Sequence, residues 1–383
     1  MKILFGAGEY GRYALKKYGK EDVFCFVDND ATRIGQMVDG VEIISFEHFL
    51  RIYREYEVIL TVQHTTQIKK QLEMHGIKNY KCFADDETGG LRTHIDELIY
   101  NPYAYVDDGK LYHSSSAVIQ MQINDVNAKV EEVYAQDILF NEVEIETINR
   151  CNGGCSFCPV SVKNDTREYK LMSEELFHKI IDELAELSYS GHLALFSNNE
   201  PFLDERIVSF HQYARSRLPY AKMHLYTNGT LLTIDKFQEI VKYLDELIID
   251  NYNQELKLIP SCAKIAEYCE IHPELKKKVT IVLRKIDEVL TTRGGSAPNA
   301  PKVSYPEAKC VRPFQQMIIR PDGKVSLCCN DALGKNTLGD VSNNSLVQVW
   351  YNDRFKMVRE CLYKGRENWE SCKYCDVLGY TPF

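Results

Sequence analysis

Hydrophobic and polar positions alternate with two different periods along this chain. Val143-Glu144-Ile145-Glu146-Thr147-Ile148 alternates apolar and polar residues, which predicts a half-buried strand. Ser173 to Leu187 switches to helical spacing, with Ser173 placed as N-cap and Leu176, Ile180, Ile181 and Leu184 on one face. Glu246-Leu247-Ile248-Ile249-Asp250 and Val279-Thr280-Ile281-Val282-Leu283 predict further strands, and strands alternating with helices predict a parallel sheet of the α/β class. The first ninety residues repeat the alternation on a smaller scale: a strand at Lys2–Phe5, a helical stretch, strands at Val23–Val27 and Val58–Val62, and a helix around Thr66–Met74. Towards the end, Pro321-Asp322-Gly323 separates two apolar runs, Ile318-Ile319 and Val325-Ser326-Leu327. Proline presets φ and glycine takes a positive φ, so this is a hairpin signal.

Turn residues organise the rest. Asp85-Asp86-Glu87 and Gly89-Gly90 mark a domain boundary. Asn101-Pro102-Tyr103, Asp107-Asp108-Gly109 and Ser114-Ser115-Ser116 predict a linker with a hairpin around Asp108-Gly109 and no chemistry of its own. The expected division is 1–90, 91–140, 141–305 and 306–383, in keeping with two or three domains for 383 residues.

Composition narrows the function. Net charge is −9 and no basic cluster stands out, which argues against nucleic acid as partner, since phosphate neutralisation needs clustered Lys and Arg. No stretch of about 20 apolar residues predicts a membrane span, and the apolar run at Ile3-Leu4-Phe5 is too short for a secretion signal. Thirteen cysteines without such a signal point to a reducing cytoplasm and to metal ligation rather than disulfides.

Three cysteines stand in Cys151-Asn152-Gly153-Gly154-Cys155-Ser156-Phe157-Cys158, directly after the alternating strand. Three thiolates on one loop hold three irons of a cubane [4Fe–4S] cluster and leave the fourth iron open. The two glycines let the backbone fold round a bulky group. A second set, Cys310, Cys328, Cys372 and Cys375, offers the four thiolates of a closed iron–sulfur cluster or, equally in layout, of a structural zinc. Cys329 is the alternative to Cys328, because neighbours on a strand point to opposite faces. Cys361 is unassigned, and Cys25, Cys82, Cys262 and Cys269 read as structural. At the N-terminus, Gly6-Ala7-Gly8-Glu9-Tyr10-Gly11 follows a strand and opens a helix, and the next strand ends at Asp28. That is the order of a phosphate loop, with Gly6, Gly8 and Gly11 shaping it and an acid for a ribose hydroxyl. Ninety residues are too few for both halves of a dinucleotide fold, so an empty scaffold is the alternative to a nucleotide-binding domain.

The cysteine loop resembles that of the radical S-adenosylmethionine superfamily, and more of the chain shares the likeness. Leu195-Phe196-Ser197-Asn198-Asn199-Glu200-Pro201 is similar to the family's Gly-Gly-Glu-Pro segment, with Asn198 and Asn199 in place of the glycines. His224 to Thr230 is similar to its next strand and Thr-Asn-Gly end. The resemblance implies a partial (β/α)6 barrel and an open iron chelated by S-adenosylmethionine. It further implies reductive cleavage to a 5′-deoxyadenosyl radical and an electron donor such as flavodoxin or ferredoxin. Phe157, Asn198, Asn199, Glu200, Thr227 and Asn228 would contact the cofactor. Arg284 and Arg293, at or beyond the end of a late strand, could hold its carboxylate or a substrate phosphate through paired hydrogen bonds. The C-terminal cysteines resemble the SPASM extension in its shorter, one-cluster twitch form, a small hairpin-plus-helix domain. Residues 1–90 resemble small Rossmann-like domains of sugar-modifying enzymes, some of which bind nucleotide-sugars.

These resemblances imply oxidation or epimerisation of a sugar, cyclitol or nucleotide-linked sugar. Asp331 is the candidate base or substrate anchor, or else an Asx turn. Cys329 or Cys361 is the candidate hydrogen donor for epimerisation. Radical modification of a ribosomal peptide is a second enzyme class, and a non-catalytic iron–sulfur or zinc scaffold a third.

Overall fold

The computed structural model describes residues 1–52, 56–62, 65–83, 97–105, 116–136 and 138–378. The expected boundary at Asp85–Gly90 and the expected hairpin at Asp108-Gly109 lie outside the described residues. The chain forms two compact units: Met1–Thr93 with Pro102–Asp125 and Leu378–Phe383, and His94–Asn101 with Val126–Val377.

In the first unit, β1 (Lys2–Phe5), β2 (Val23–Val27), β3 (Met37–Val38), β4 (Val41–Ile44), β5 (Glu57–Leu60) and β6 (Tyr80–Cys82) form a sheet of order β3-β4-β2-β1-β5-β6 among the described residues. All pairings are parallel except β3 with β4. Both faces are covered, as parallel sheets require: Ile3, Phe5, Val58 and Leu60 pack into one apolar cluster, while Leu4, Phe26, Ile43 and Ile59 pack into another. The helix Glu9–Tyr18 follows β1.

In the second unit, the described residues form one sheet of order β15-β14-β13-β8-β9-β10-β11-β12-β7. Its strands are β7 (Ile99–Tyr100), β8 (Glu142–Ile145), β9 (His192–Ala194), β10 (Lys222–Thr227), β11 (Glu246–Tyr252), β12 (Val279–Arg284), β13 (Gln316–Ile319), β14 (Lys324–Ser326) and β15 (Thr337–Asp340). From β13 through β8 to β12 and β7 every pairing is parallel. The segment 141–305 therefore supplies five parallel strands, not a full six-fold repeat. Its flanks are taken by β7 from upstream and by β13 from the cysteine-rich region. The stretch read as a bare linker contributes β7 and a 19-residue helix, Ser116–Tyr134. Its amide-rich and charged residues hid the helical spacing.

Helix Glu174–Glu186 shows how sequence sets position. Ser173 Oγ accepts from Leu176 N at 3.2 Å, closing the first turn. Phe177, Ile180, Ile181 and Leu184 are fully buried; Phe177, rather than Leu176, leads the face. The hairpin at Gly323 forms as expected, with β13 and β14 antiparallel and Gly323 at φ +77°. A Cβ there would lie 2.0 Å from Ser342 Oγ.

Strand β8 departs from its sequence pattern. All four residues are buried, and Glu142, Glu144 and Glu146 are 6, 3 and 2% exposed. The strand has no solvent face: helices pack on one side and the other lines the barrel interior. The half-buried expectation fails because alternation records chemical type, not which face meets water.

Phe177 stacks on Phe210 with ring centroids 4.0 Å apart at the centre of the helical layer. Phe177→Ala is expected to cost about 3–5 kcal/mol of unfolding free energy. A denaturant titration checks this, and a loss below about 1 kcal/mol would mean that the layer is loosely packed.

Candidate active site

Every strand from β8 to β12 ends at the same edge of the sheet, and the first chain segment to leave that edge carries the cysteine loop. The loop is tied down by backbone hydrogen bonds: Ser156 N donates to Ile286 O (3.0 Å), Val162 N to Gly153 O (3.0 Å) and Glu200 N to Arg150 O (2.9 Å). Gly153 sits among the thiols. Its N–H donates to Cys151 Sγ at 3.3 Å, and a Cβ on it would lie 3.3 Å from Cys151 Sγ and 3.8 Å from Cys155 Sγ. Burial pushes the Cys151 thiol up to about 11 and the Cys155 thiol up to about 12, so a bound metal must supply the charge that deprotonates them. Phe157 is buried, its ring 6.0 Å from that of Tyr252.

Glu200, 1% exposed, straps the ends of two strands together. Its carboxylate accepts from Thr227 Oγ1 (2.7 Å), Asn228 N (2.8 Å) and Phe202 N (3.1 Å). Burial raises its pKa, and these donors, Asn228 first, oppose the rise. Asn228 Nδ2 then reaches Asn152 Oδ1 at 2.8 Å and Cys151 Sγ at 3.9 Å. Asn199 Oδ1 accepts from Ser197 N (3.0 Å), and Asn198 Nδ2 donates to Cys329 O (3.0 Å). Asn198 Oδ1 and Asn199 Nδ2 are buried with no partner. Orphaned polar atoms are costly; beside three thiols they fit a polar ligand that completes them. The donor set and these two atoms together suit an iron–sulfur cluster with a polar cofactor on it. Among the described residues, no three His, Cys, Asp or Glu side chains close on a single ion.

The interior wall beside this loop was not foreseen from the sequence. Gln316 Nε2 donates to both Glu142 Oε1 (2.7 Å) and Glu144 Oε1 (3.0 Å), while Glu144 Oε2 has no donor at full hydrogen-bond geometry, only the Ser197 hydroxyl in its vicinity. Burial, then the neighbouring Glu142, push the Glu144 carboxyl up to about 8, against the Ser197 hydroxyl and the charges of Arg312 and Arg293. Glu146 is also raised by burial but is held by Arg167 at 3.0 Å, which bonds Asp165 as well. The one available signal for this wall was the glutamate alternation itself. In a sheet covered on both faces, such acids have nowhere to point but inward.

The second set of cysteines lies where β13 and β14 extend the same sheet. Cys310, Cys328, Cys372 and Cys375 line one cavity with Arg312 and Arg366. Cys328 and Cys329 face opposite ways. The electrostatic neighbours of Cys328 include Cys310 and Cys372, whereas those of Cys329 are Arg312, Glu144, Glu142 and Arg293. Cys361, half-buried on helix Asp353–Lys364, does not line the cavity.

Other expectations change. Both carboxylate oxygens of Asp331 are engaged by its own loop, accepting from Lys335 N and Asn336 N at 2.9 Å each, the contacts of the turn that was the alternative to a base. Arg284 is paired with Asp250 (3.3 Å) and Glu288 (3.7 Å), which leaves it poorly placed to clamp a cofactor carboxylate. Arg293 sits in a left-handed turn (φ +48°) followed by Gly294 and Gly295, both at positive φ. The preceding Thr292 is fastened to the last cysteine loop: its N–H and hydroxyl donate to Asp376 Oδ1 at 2.9 Å each. Arg293 thus belongs to the interior wall through its field on Glu144 and Cys329.

In the N-terminal unit, Gly6 takes φ +116°, and a Cβ on Gly11 would lie 2.0 Å from Gly6 O, so both glycines serve a tight strand-to-helix turn. Asp28 points back into that loop: Oδ2 accepts from Ala7 N at 3.0 Å and lies 3.5 Å from Arg33, whose Nη1 is 3.7 Å from the Cβ position of Gly8. The acid expected to meet a ribose occupies a loop N–H that a phosphate would need.

Comparison with known proteins agrees with the two cysteine sites. Residues 145–257 match the radical SAM superfamily model, residues 310–376 the SPASM iron–sulfur cluster-binding domain, and residues 1–83 the C2185-like N-terminal domain. The chain is 28% identical over 241 residues to the S-adenosyl-L-methionine-dependent 2-deoxy-scyllo-inosamine dehydrogenase of Niallia circulans, covering 63% of this chain and 94% of that protein. It is similar to the crystal structure of BtrN in complex with AdoMet and 2-DOIA, with a TM-score of 0.54 and 26% identity, again over 63% of this chain and 94% of that one. Among the described residues no helix is long and apolar enough to cross a membrane. The chain carries a radical SAM domain, with a SPASM iron–sulfur domain after it and a C2185-like domain before it.

Proposed function

We propose that this radical SAM enzyme removes hydrogen from a hydroxyl-bearing carbon of a sugar or cyclitol, oxidising it to a ketone. The observation that carries this is Glu144, an interior carboxyl with one unpartnered oxygen, in the field of Arg312 and Arg293 and near the Cys329 thiol. When bound, the cluster with S-adenosylmethionine supplies hydrogen-atom abstraction, and the SPASM cluster supplies an electron acceptor. The chain's own residues then have distinct tasks. Glu144, raised to about 8 by burial, gains its base form as pH rises above neutral and can then take a hydroxyl proton. Ser197 and the orphaned amide atoms of Asn198 and Asn199 offer further contacts to a polar molecule. The similarity to an inosamine dehydrogenase supports an alcohol of this class.

A second outcome, epimerisation, is favoured by one observation: the Cys329 thiol faces the same wall as Glu144 and Arg293. A thiol there could return a hydrogen atom to the opposite face of a substrate carbon, leaving a thiyl radical that one electron, delivered through the second cluster from an external reductant, and a proton would restore to the thiol. In deuterated water, deuterium at the reacting carbon of recovered product would favour epimerisation, and a ketone product would favour oxidation. The nucleotide-linked form of the substrate has no support from the N-terminal loop, where Asp28 already takes Ala7 N–H.

Anaerobically iron-loaded protein with dithionite is expected to release 5′-deoxyadenosine from S-adenosylmethionine, and Cys155→Ala is expected to abolish that release. If the parent protein with full iron content releases none, the radical activity is refuted. Glu144 gives a separate expectation. Its folded pKa, about 8, lies above the ordinary 4.5. The folded state therefore keeps a proton that the unfolded chain gives up. The associated stability is full below pH 4.5 and is lost as pH rises towards 8. Glu144→Gln, neutral throughout, is expected to flatten the thermal stability profile across that window and to exceed the parent by at least about 1 kcal/mol at its alkaline end. It is also expected to lower kcat by about 100-fold or more. Unchanged kcat would remove Glu144 from the reaction.

A further inference from the structure

Arg366 is 2% exposed, among the most deeply buried charged groups of the chain. Its guanidinium donates to three backbone carbonyls: Val377 O (2.6 Å), Cys375 O (2.8 Å) and Lys309 O (3.2 Å). No carboxylate stands within ion-pair distance of it among the described residues, whereas the other arginine of the same cavity, Arg312, has Glu142 in its field. Carbonyl dipoles satisfy the N–H groups but do not neutralise the charge. A buried cation without an anion is costly enough that proteins pair it or do without it. The anionic candidates within reach are the thiols it shares the cavity with, above all Cys372 and Cys375. As thiols they carry no charge. As metal-bound thiolates they do.

We infer that Arg366 is the counter-charge of the four-cysteine SPASM centre and holds the reduction potential of that centre up. The two buried arginines divide the ligands between them, Arg312 beside Cys328 and Cys310, Arg366 beside Cys372 and Cys375. An iron–sulfur centre held by four thiolates is anionic and becomes more so on reduction. Burial alone opposes that gain of charge, and a fixed cation a few ångströms away favours it. This rests on the proposal that the centre accepts an electron from substrate, for which a raised potential is the requirement. Its test does not need turnover.

The full chain with Cys151, Cys155 and Cys158 all replaced by alanine confines iron to the second centre. In that background, Arg366→Met and Arg366→Lys are loaded anaerobically, and each midpoint potential is read by redox titration followed by electron paramagnetic resonance. Arg366→Met is expected to shift the one-electron equilibrium at least tenfold towards the oxidised form, about 59 mV lower, with Arg366→Lys retaining more than half of the parent potential's advantage. Loss of iron in Arg366→Met but not in Arg366→Lys would support the same role, since charge alone would rescue it. An unchanged midpoint at full iron content would overturn the inference. So would equal loss of iron from both variants, because the carbonyl bonds rather than the charge would then matter, and so would a centre that takes zinc and gives no redox signal. None of these outcomes bears on 5′-deoxyadenosine release by the parent, which tests the radical activity independently.

Discussion

A parallel strand covered on both faces has no side that meets water, and β8 carries two glutamates, with a third, Glu146, directly after it. Much of the second unit answers that constraint. Gln316 bridges two of the acids, Arg167 holds the third, and the field of Arg312 reaches the first two. What is left over is a single carboxyl oxygen without a partner, in an interior that raises its proton affinity. A strand that would be ordinary with one wet face becomes the chemical wall of a cavity because its neighbours close over it.

The same strand explains how two cysteine sites serve one interior. β13 pairs with β8 in parallel and β14 turns back against β13, so the cysteine-rich region continues the barrel sheet. Cys328 follows β14 closely and Cys329 is next. In this turn after β14, one thiol lines the four-cysteine cavity and the other lies near the glutamate wall. Thr292, fastened to Asp376, pins the left-handed turn of Arg293 to the last cysteine loop and brings a cation to that wall from a third direction.

Elements with strong local signals were legible. Ser173 caps its helix, Pro321-Asp322-Gly323 turns its hairpin, and the Gly6 loop joins strand to helix. Each depends on interactions within a few residues. Side chains whose fate depends on remote partners were less legible: Arg284, a candidate clamp, faces Asp250 across adjacent strands. For Asp331, where a turn was the alternative, the partners are Lys335 N and Asn336 N of its own loop. The helix at Ser116–Tyr134 was missed because its sequence lacks a clear apolar stripe.

The sequence by itself determined which groups are available: a three-thiol loop with glycines that admit a bulky ligand, four further thiols, and the order of strands and helices that fixes a parallel sheet. These follow from spacing and residue chemistry, which act locally. Tertiary structure decided which of those groups are charged, paired or idle. It turned the glutamates of β8 inward, spent Glu200 and Asp28 on backbone donors, and left Arg366 buried without a carboxylate. Burial and distance between remote segments set these outcomes, because the electrostatic cost of a group depends on what surrounds it in space and not on its neighbours along the chain.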